Sequence, residues 1–221
     1  MSVALTLQRA GRWNDALALA ETVSQRAEIL VDRHIWLRDD PAEALAATVE
    51  LQPTDPALAI LLQSQLVYWN ELFKFHPSDG SDPLDGFTEA GKDPRLAGWA
   101  AFWHAVTVEN LRDDPDTAAP GYERAREEAR ASGDRLLESY AVRHIGYLRL
   151  DADRPGGILL LRRSLQLRAA CGARPHVTAA QVLLAQTLGE DDPEAAELLA
   201  IAGETAVELG LDWLLPKTPD A

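Results

Sequence analysis

Aromatic and polar side chains recur at helical spacing in the middle of the chain. The candidate binding set is Trp99, Trp103, Tyr140, Arg143, His144 and Tyr147. Residues three and four positions apart share one face of an α-helix, so each half of this set forms a stripe. Aromatic faces can stack on a planar ligand while arginine and histidine hold its polar edge, which predicts a ligand-binding surface. The alternative is that the tryptophans and the histidine belong to a core between helices.

Arginine is concentrated next to this set. Seven arginines lie between positions 143 and 174, namely Arg143, Arg149, Arg154, Arg162, Arg163, Arg168 and Arg174. Only Asp151 and Asp153 oppose them, so the segment carries +5 in a chain whose net charge is −14. A guanidinium donates two parallel hydrogen bonds to a carboxylate or phosphate, so this segment favours a small anionic ligand. The alternative is that these side chains are solvated or paired with acidic neighbours; Arg162, Arg163 and Arg168 are expected to face outwards.

Signals for catalysis are weak in this sequence. The histidines, His34, His76, His104, His144 and His176, are dispersed, so no metal site is predicted. Cys171 precedes a glycine with no obvious base beside it, and neither a nucleophile elbow nor a glycine-rich phosphate loop is present. No cofactor is predicted. Binding is therefore expected rather than catalysis, and His144 is the candidate acid or base if the protein is an enzyme.

An internal repeat organises the elements that carry these residues. Gly133, Gly172 and Gly210 are 39 and 38 residues apart, and three prolines in acidic turns repeat at spacings of 40 and 38. Proline suits the first turn of a helix, and glycine suits the position just after its end. Each unit therefore predicts two helices, with the second running from its proline to its glycine. Strand patterns are nearly absent, which predicts an all-α fold.

Four segments are predicted along the chain. Residues 1–75 contain helical repeats in poorer register, and residues 76–93 form a long loop rich in Gly, Pro, Ser and Asp. Residues 94–211 contain three regular helix pairs, and residues 212–221 form an apolar tail. We expect this tail to cap the open end of the last repeat, with a dimer contact as the alternative.

Helix pairs that end in glycine, with alanine at close-packing positions, resemble the tetratricopeptide repeat. The segment from Gly11 to Leu17, and Tyr140 to Leu150 followed by Ser164 and Leu165, are similar to parts of that repeat. The standard period is 34 residues, so the longer spacing here resembles the extended repeats of bacterial regulators and their relatives. The resemblance implies a right-handed α-solenoid of antiparallel helix pairs, with the first helix of each pair along a concave groove.

The overall charge of −14 argues against nucleic acid as a partner. The single cysteine fits a reducing compartment, and no apolar run approaches the length of a membrane span. A cytoplasmic location without membrane contact is therefore expected.

Two functions are compatible with these sequence features. The first is a module that binds a partner peptide or protein in its aromatic groove, with a regulatory or scaffolding role. The alternative is a protein that binds a small planar or anionic metabolite in the same groove, or a biosynthetic enzyme acting on one. A homodimer is a further possibility. The sequence does not identify the ligand.

Overall fold

A computed structural model describes residues 2–78 and 80–215. Within these residues the chain forms twelve α-helices and one short 3-10 helix, Asp212–Leu214, without any strand. The helices are α1 Val3–Arg9, α2 Trp13–Ala18, α3 Val23–Leu37, α4 Ala42–Leu51, α5 Pro56–Phe73, α6 Pro83–Ala90, α7 Ala97–Arg112, α8 Pro115–Ser132, α9 Arg135–Arg149, α10 Arg154–Ala170, α11 Arg174–Leu188 and α12 Pro193–Leu209. The predicted all-α class is confirmed.

The boundaries of the later helices follow their turn residues. Asp114, Asp153 and Asp192 each accept a backbone N–H at the start of a helix, next to a proline in its first turn. At the other end, Gly133 and Gly210 close α8 and α12 with φ of 75° and 70°. Such left-handed conformations favour glycine, so the repeated prolines and glycines set the helix lengths.

Successive helices pack against one another along the whole described chain. The approach of α9 and α10 is especially close, because a Cβ on Gly146 would lie 2.9 Å from the Leu160 Cβ and 3.1 Å from the Gly157 carbonyl oxygen. Small residues at these positions therefore allow the two backbones to approach. No helix in the described ranges has both the length and the apolar character needed to cross a bilayer.

The segment over residues 76–93, expected to be a loop, contains α6. Asp82 accepts the backbone N–H of Leu84 at the start of this helix, and Pro83 occupies its first turn. Phe87 and Ala90 are buried against the core. Packing of these two apolar residues, one turn apart, against neighbouring helices stabilises the short helix. The sequence did not predict this helix because the segment is rich in residues typical of loops.

The two ends of the described chain lie against each other. Gly11 follows α1, and a Cβ at this position would lie 3.0 Å from a Leu209 methyl group of α12. Trp213 stacks on Trp36 of α3 with a centroid distance of 5.9 Å, and its indole N–H donates to the Trp36 carbonyl oxygen at 2.9 Å. The row of helices therefore closes on itself. The odd-numbered helices surround an inner space, which we term the lumen.

The apolar tail accordingly covers more than the last repeat. Its described part, residues 212–215, contacts α11 and α12 and also reaches Trp36 on α3. The rest of the predicted cap, residues 216–221, lies outside the described residues.

Replacing Trp213 by alanine tests this closure. The variant loses the stacking on Trp36 and the hydrogen bond to its carbonyl, so we expect the free energy of unfolding to fall by about 2 kcal/mol. Urea denaturation followed by circular dichroism measures the change. Val207→Ala, on the exposed surface of α12, is the matched control and should change the value by less than about 0.5 kcal/mol. Equal effects of the two variants would contradict closure through Trp213.

Candidate functional site

Two cavities occupy the lumen. One has a volume of about 250 Å³ and is lined by Arg143 and Arg168; we term it the arginine cavity. The other has a volume of about 410 Å³ and is lined by Glu28 and Asp32; we term it the carboxylate cavity. The side chains common to both linings are Ile35, Trp103, Tyr140 and His176. These four residues form the partition between the cavities.

The arginine cavity is mainly aromatic. Helices α3, α5, α7, α9, α10 and α11 contribute to its wall, together with Trp213. Its rings are Trp36, Tyr68, Trp69, Phe73, Phe102, Trp103, Tyr140 and Trp213, with His144 and His176. No aspartate or glutamate lines it among the described residues. Arginines are therefore the charged residues that line this mainly apolar cavity.

Arg168 is a buried cation, since only 3% of the residue is exposed. Its Nη1 donates to the His176 carbonyl oxygen at 2.9 Å, and its guanidinium lies 5.1 Å from the centre of the Tyr140 ring. No carboxylate in the described part of the chain lies within ion-pair distance of it. Burial lowers the pKa of Arg168 to about 10, which still leaves the group charged at neutral pH.

Arg143 is held by a chain of hydrogen bonds that ends on Glu109. The Arg143 Nη1 lies 2.9 Å from the His144 Nε2, and the His144 Nδ1 lies 2.8 Å from the Glu109 Oε2. The hydroxyl of Tyr122 also donates to Glu109. We term Glu109, His144 and Arg143 the relay. Through the relay, Glu109 orients Arg143 although Glu109 itself does not line the cavity.

Protonation states in the relay follow from burial. Burial, reinforced by the nearby charge of Arg143, lowers the pKa of His144 to about 4, so its ring is neutral at pH 7. Burial alone would raise the pKa of Glu109, but hydrogen bonding to His144 and Tyr122 and the charge of Arg143 lower it. An ionised Glu109 requires the proton of His144 on Nδ1, and Nε2 then accepts from Arg143.

The cavity and its relay therefore carry a net positive charge. Arg143 and Arg168 contribute two positive charges, and the relay carboxylate of Glu109 contributes one negative charge. Burial also lowers the pKa of Arg143, because the low-dielectric surroundings disfavour its charged form. An anion in the cavity would relieve this penalty on both guanidinium groups.

A third arginine lies beside the cavity. The Arg38 guanidinium is 3.9 Å from the centre of the Phe73 ring and 4.1 Å from that of Trp213. Both rings line the arginine cavity. Arg38 adopts a left-handed φ of 54° at the end of α3, and its Nε is buried without a hydrogen-bond partner in the described structure. This cation–π stack adds positive charge at the rim.

The structure separates the sequence-predicted residues into three groups. Trp103, Tyr140, Arg143 and His144 all line the arginine cavity. Trp99 lines only the carboxylate cavity, where its indole N–H donates to Asp134 at 3.0 Å. Tyr147 is 50% exposed and lines neither cavity. The alternative that the tryptophans belong to a core between helices also holds for Trp103, which is part of the buried core cluster. Trp103 lines the lumen as well.

The expectation that Arg168 faces outwards is wrong, since the residue is buried and lines the arginine cavity. The expectation came from its position on the second helix of a pair. Arg168 shares one face of α10 with the buried residues Leu161 and Ser164, at offsets of seven and four. Ser164 donates to the Ser139 carbonyl oxygen of α9 at 2.7 Å, and the guanidinium of Arg168 continues past it into the lumen. The position of Arg168 on an apolar face was the available signal.

Other arginines of the basic segment are paired as the alternative interpretation expected. Arg162 forms an ion pair with Glu194, Arg174 donates to Glu208 at 2.9 Å, and Arg149 lies 2.6 Å from Asp153. These partially exposed pairs contribute little to stability. The described residues contain no group of three or more His, Cys, Asp and Glu side chains that could hold a metal ion.

The chain matches no protein-family model, and no curated protein and no solved structure shows significant similarity to it.

A pH titration of stability tests the buried state of His144. In the unfolded chain this residue takes up a proton near pH 6.5, whereas the folded protein resists protonation down to about pH 4. Stability is therefore lost as the pH falls through this window, by about 2–3 kcal/mol between pH 7 and pH 4.5. His176 adds a loss of the same sign.

The comparison with His144→Gln isolates this contribution, because glutamine can still donate to Glu109 but does not titrate. Urea unfolding at the two pH values should show that the variant loses about 2–3 kcal/mol less than the native protein. Identical losses in the two proteins would show that His144 titrates normally.

Proposed function

We propose that this protein binds a small organic anion, a carboxylate or phosphate on an apolar or aromatic body, in the arginine cavity. The observation that carries the proposal is the pair Arg143 and Arg168, which line an apolar cavity that contains no acidic side chain among the described residues. Burying such charges without counter-ions is costly, so a cavity that retains them is suited to an anion.

The shape and chemistry of the cavity restrict the ligand. A volume of about 250 Å³ fits a small metabolite. The stacked and edge-on rings around Trp69 and Trp103 offer flat apolar surfaces for its body. Tyr68 and Asn110 also line the cavity and are joined by a 2.7 Å hydrogen bond, which supplies polar atoms near the arginines.

The binding of a partner peptide or protein is the second proposal, and it requires an accessible groove. Contacts between Trp213 and Trp36 close the row of helices, and the candidate aromatic residues lie inside the lumen. This placement favours a small ligand over a peptide. A homodimer is compatible with either proposal.

His144 is proposed to position Arg143 rather than to transfer a proton to a substrate. Both of its ring nitrogens are engaged, one with Arg143 and one with Glu109. Its lowered pKa also makes it a weak base at neutral pH.

The pairing and winding of the helices are also proposed. Neighbour packing of twelve helices supports a helical repeat, for which we propose the antiparallel pairing and right-handed winding of tetratricopeptide-like proteins. We propose a cytoplasmic setting, which the lone cysteine supports.

Titration calorimetry with phenyl phosphate and phenylacetate tests the proposed function. We expect both anions to bind, and the neutral analogue phenylacetamide to bind at least about tenfold more weakly, because it lacks the charge that the arginines would neutralise. Equal binding of the neutral analogue, or binding of none of the three, would contradict the proposal.

Matched variants on one helix locate the site. Arg168→Met should weaken phenyl phosphate binding by at least about tenfold. Arg163→Met, on the exposed face of α10, should leave it unchanged. A similar loss in both variants would place the anion outside the lumen. Arg38→Gln provides a second test at the rim, with a smaller expected loss.

The same Arg168→Met variant should be more stable than the native protein when no ligand is present. Removing a buried, unpaired cation relieves its desolvation penalty, and this outweighs the lost hydrogen bonds by about 1 kcal/mol. Urea unfolding at neutral pH measures the difference, with Arg163→Met as control. A large loss of stability would mean that Arg168 is a structural residue.

A further inference from the structure

The carboxylate cavity lies on the other side of the partition and has the opposite charge. Glu28 and Asp32 are one helical turn apart on α3, and Asp134 precedes α9 on the facing wall. All six odd-numbered helices contribute to the lining, and the volume is about 410 Å³. Three carboxylates thus surround one space large enough for a metabolite.

Acidic groups outnumber basic groups in this cavity. Glu28, Asp32 and Asp134 carry three negative charges when ionised, and no lysine lines the cavity within residues 2–78 and 80–215. Arg9 also lines the cavity, and its single charge leaves a net charge of −2 when all four groups are ionised. His176 lies on the partition, and burial lowers its pKa, so it is neutral at pH 7.

This arrangement disfavours the ionised forms of the two carboxylates on α3. Burial raises the pKa of Asp32 to about 6, despite hydrogen bonds from Trp13 and Gln8. The Trp13 indole N–H donates to its Oδ2 at 2.8 Å. Desolvation of its carboxylate, followed by repulsion from Asp32, also raises the pKa of Glu28, although the residue as a whole is exposed. A bound cation would favour the charged forms of both carboxylates and so oppose the two shifts.

Unsatisfied polar atoms in the partition point to a missing occupant independently of the acidic groups. Trp103 and His176 are each 5% exposed and line the cavity. The Trp103 Nε1 and the His176 Nδ1 are buried without any hydrogen-bond partner in the described structure. Buried polar atoms are rarely left unpaired. The neutral His176 Nδ1 could accept a hydrogen bond from an ammonium group, whereas the Trp103 N–H requires an acceptor atom elsewhere on the ligand.

The aromatic side chains of this cavity suit a cation. Trp99, Trp103 and Tyr140 line it, and the centroids of Trp99 and Tyr140 are 5.5 Å apart. Faces of tryptophan and tyrosine attract ammonium groups, most strongly where water is excluded. The overall charge of −14 also attracts cations towards the protein.

Helix N-termini at this cavity would favour an anion, but capping residues already engage most of them. Thr22, Asp55 and Asp134 accept backbone N–H groups at the starts of α3, α5 and α9. These caps satisfy donors that an anion would otherwise use. The carboxylates of the wall therefore decide the sign of the ligand.

From this geometry we infer that the carboxylate cavity is a second binding site, and that its ligand is an organic ammonium ion of metabolite size. The ammonium group lies between Glu28 and Asp32, and its organic part lies against Trp99, Trp103 and Tyr140. This inference is independent of the proposed anion site, because the charged residues of the two cavities are different.

Titration calorimetry with choline and tyramine tests the inference. Each probe is compared with a neutral counterpart. For choline this is its carbon isostere, in which a tert-butyl group replaces the trimethylammonium group, and for tyramine it is 4-ethylphenol. We expect at least one ammonium probe to bind about tenfold or more tightly than its neutral counterpart. If neither probe exceeds its counterpart, the inference is wrong.

Variants in and outside the cavity assign the site. Asp32→Asn and Glu28→Gln should each weaken ammonium binding by at least about fivefold. Glu50→Gln, exposed on α4, removes the same charge from the chain and should have no effect. Glu28 lies at the solvent-accessible side of the cavity, so its variant reports on binding even if Asp32→Asn fails to fold. Equal loss in Glu50→Gln would indicate a general charge effect and overturn the assignment.

A cross-comparison separates the two proposals. Arg168→Met should leave the affinity for the ammonium probe within about twofold, while Asp32→Asn should leave the affinity for phenyl phosphate within the same range. Loss of ammonium binding in Arg168→Met would contradict a separate cation site. Failure of anion binding alone would leave the ammonium site intact.

Discussion

A buried positive charge without a carboxylate partner is the constraint on which the lumen depends. Arg168 lies among aromatic rings, with a backbone carbonyl as its closest acceptor, and Arg143 reaches a negative charge only through the neutral ring of His144. An unpaired guanidinium among apolar side chains lowers the stability of the fold. The surrounding packing tolerates this cost because the row of helices supplies an extensive core. Under the proposed function, the two arginines are pre-organised for a counter-ion.

The lumen is electrically asymmetric. One cavity presents arginines and the other presents carboxylates, with Trp103, Tyr140 and His176 between them. The partition keeps the two sets of charges apart, so neither set neutralises the other. Closure of the chain by Trp213 and Trp36 completes the arginine cavity, since both rings line it. The same contact therefore stabilises the fold and forms part of the arginine cavity.

Much of the fold was predictable because its signals are local. Prolines and glycines mark helix ends through backbone conformation, and the structure confirms the all-α class. Closure was not predictable, since the contact of Trp213 with Trp36 joins residues 177 positions apart. For the site, helical spacing brought together Trp103, Tyr140, Arg143 and His144, whereas Tyr147 lies outside the cavities. The inward position of Arg168 and the role of Glu109 were not predicted, because both arise from neighbours on other helices.

A crystal structure of the protein with bromophenyl phosphate tests the proposed anion site, because the anomalous signal of bromine locates the ligand. We expect a bromine peak among the rings of the arginine cavity, with phosphate oxygens within hydrogen-bond distance of Arg143 and Arg168. A bromine peak outside the lumen, or a phosphate that contacts neither arginine, would contradict it.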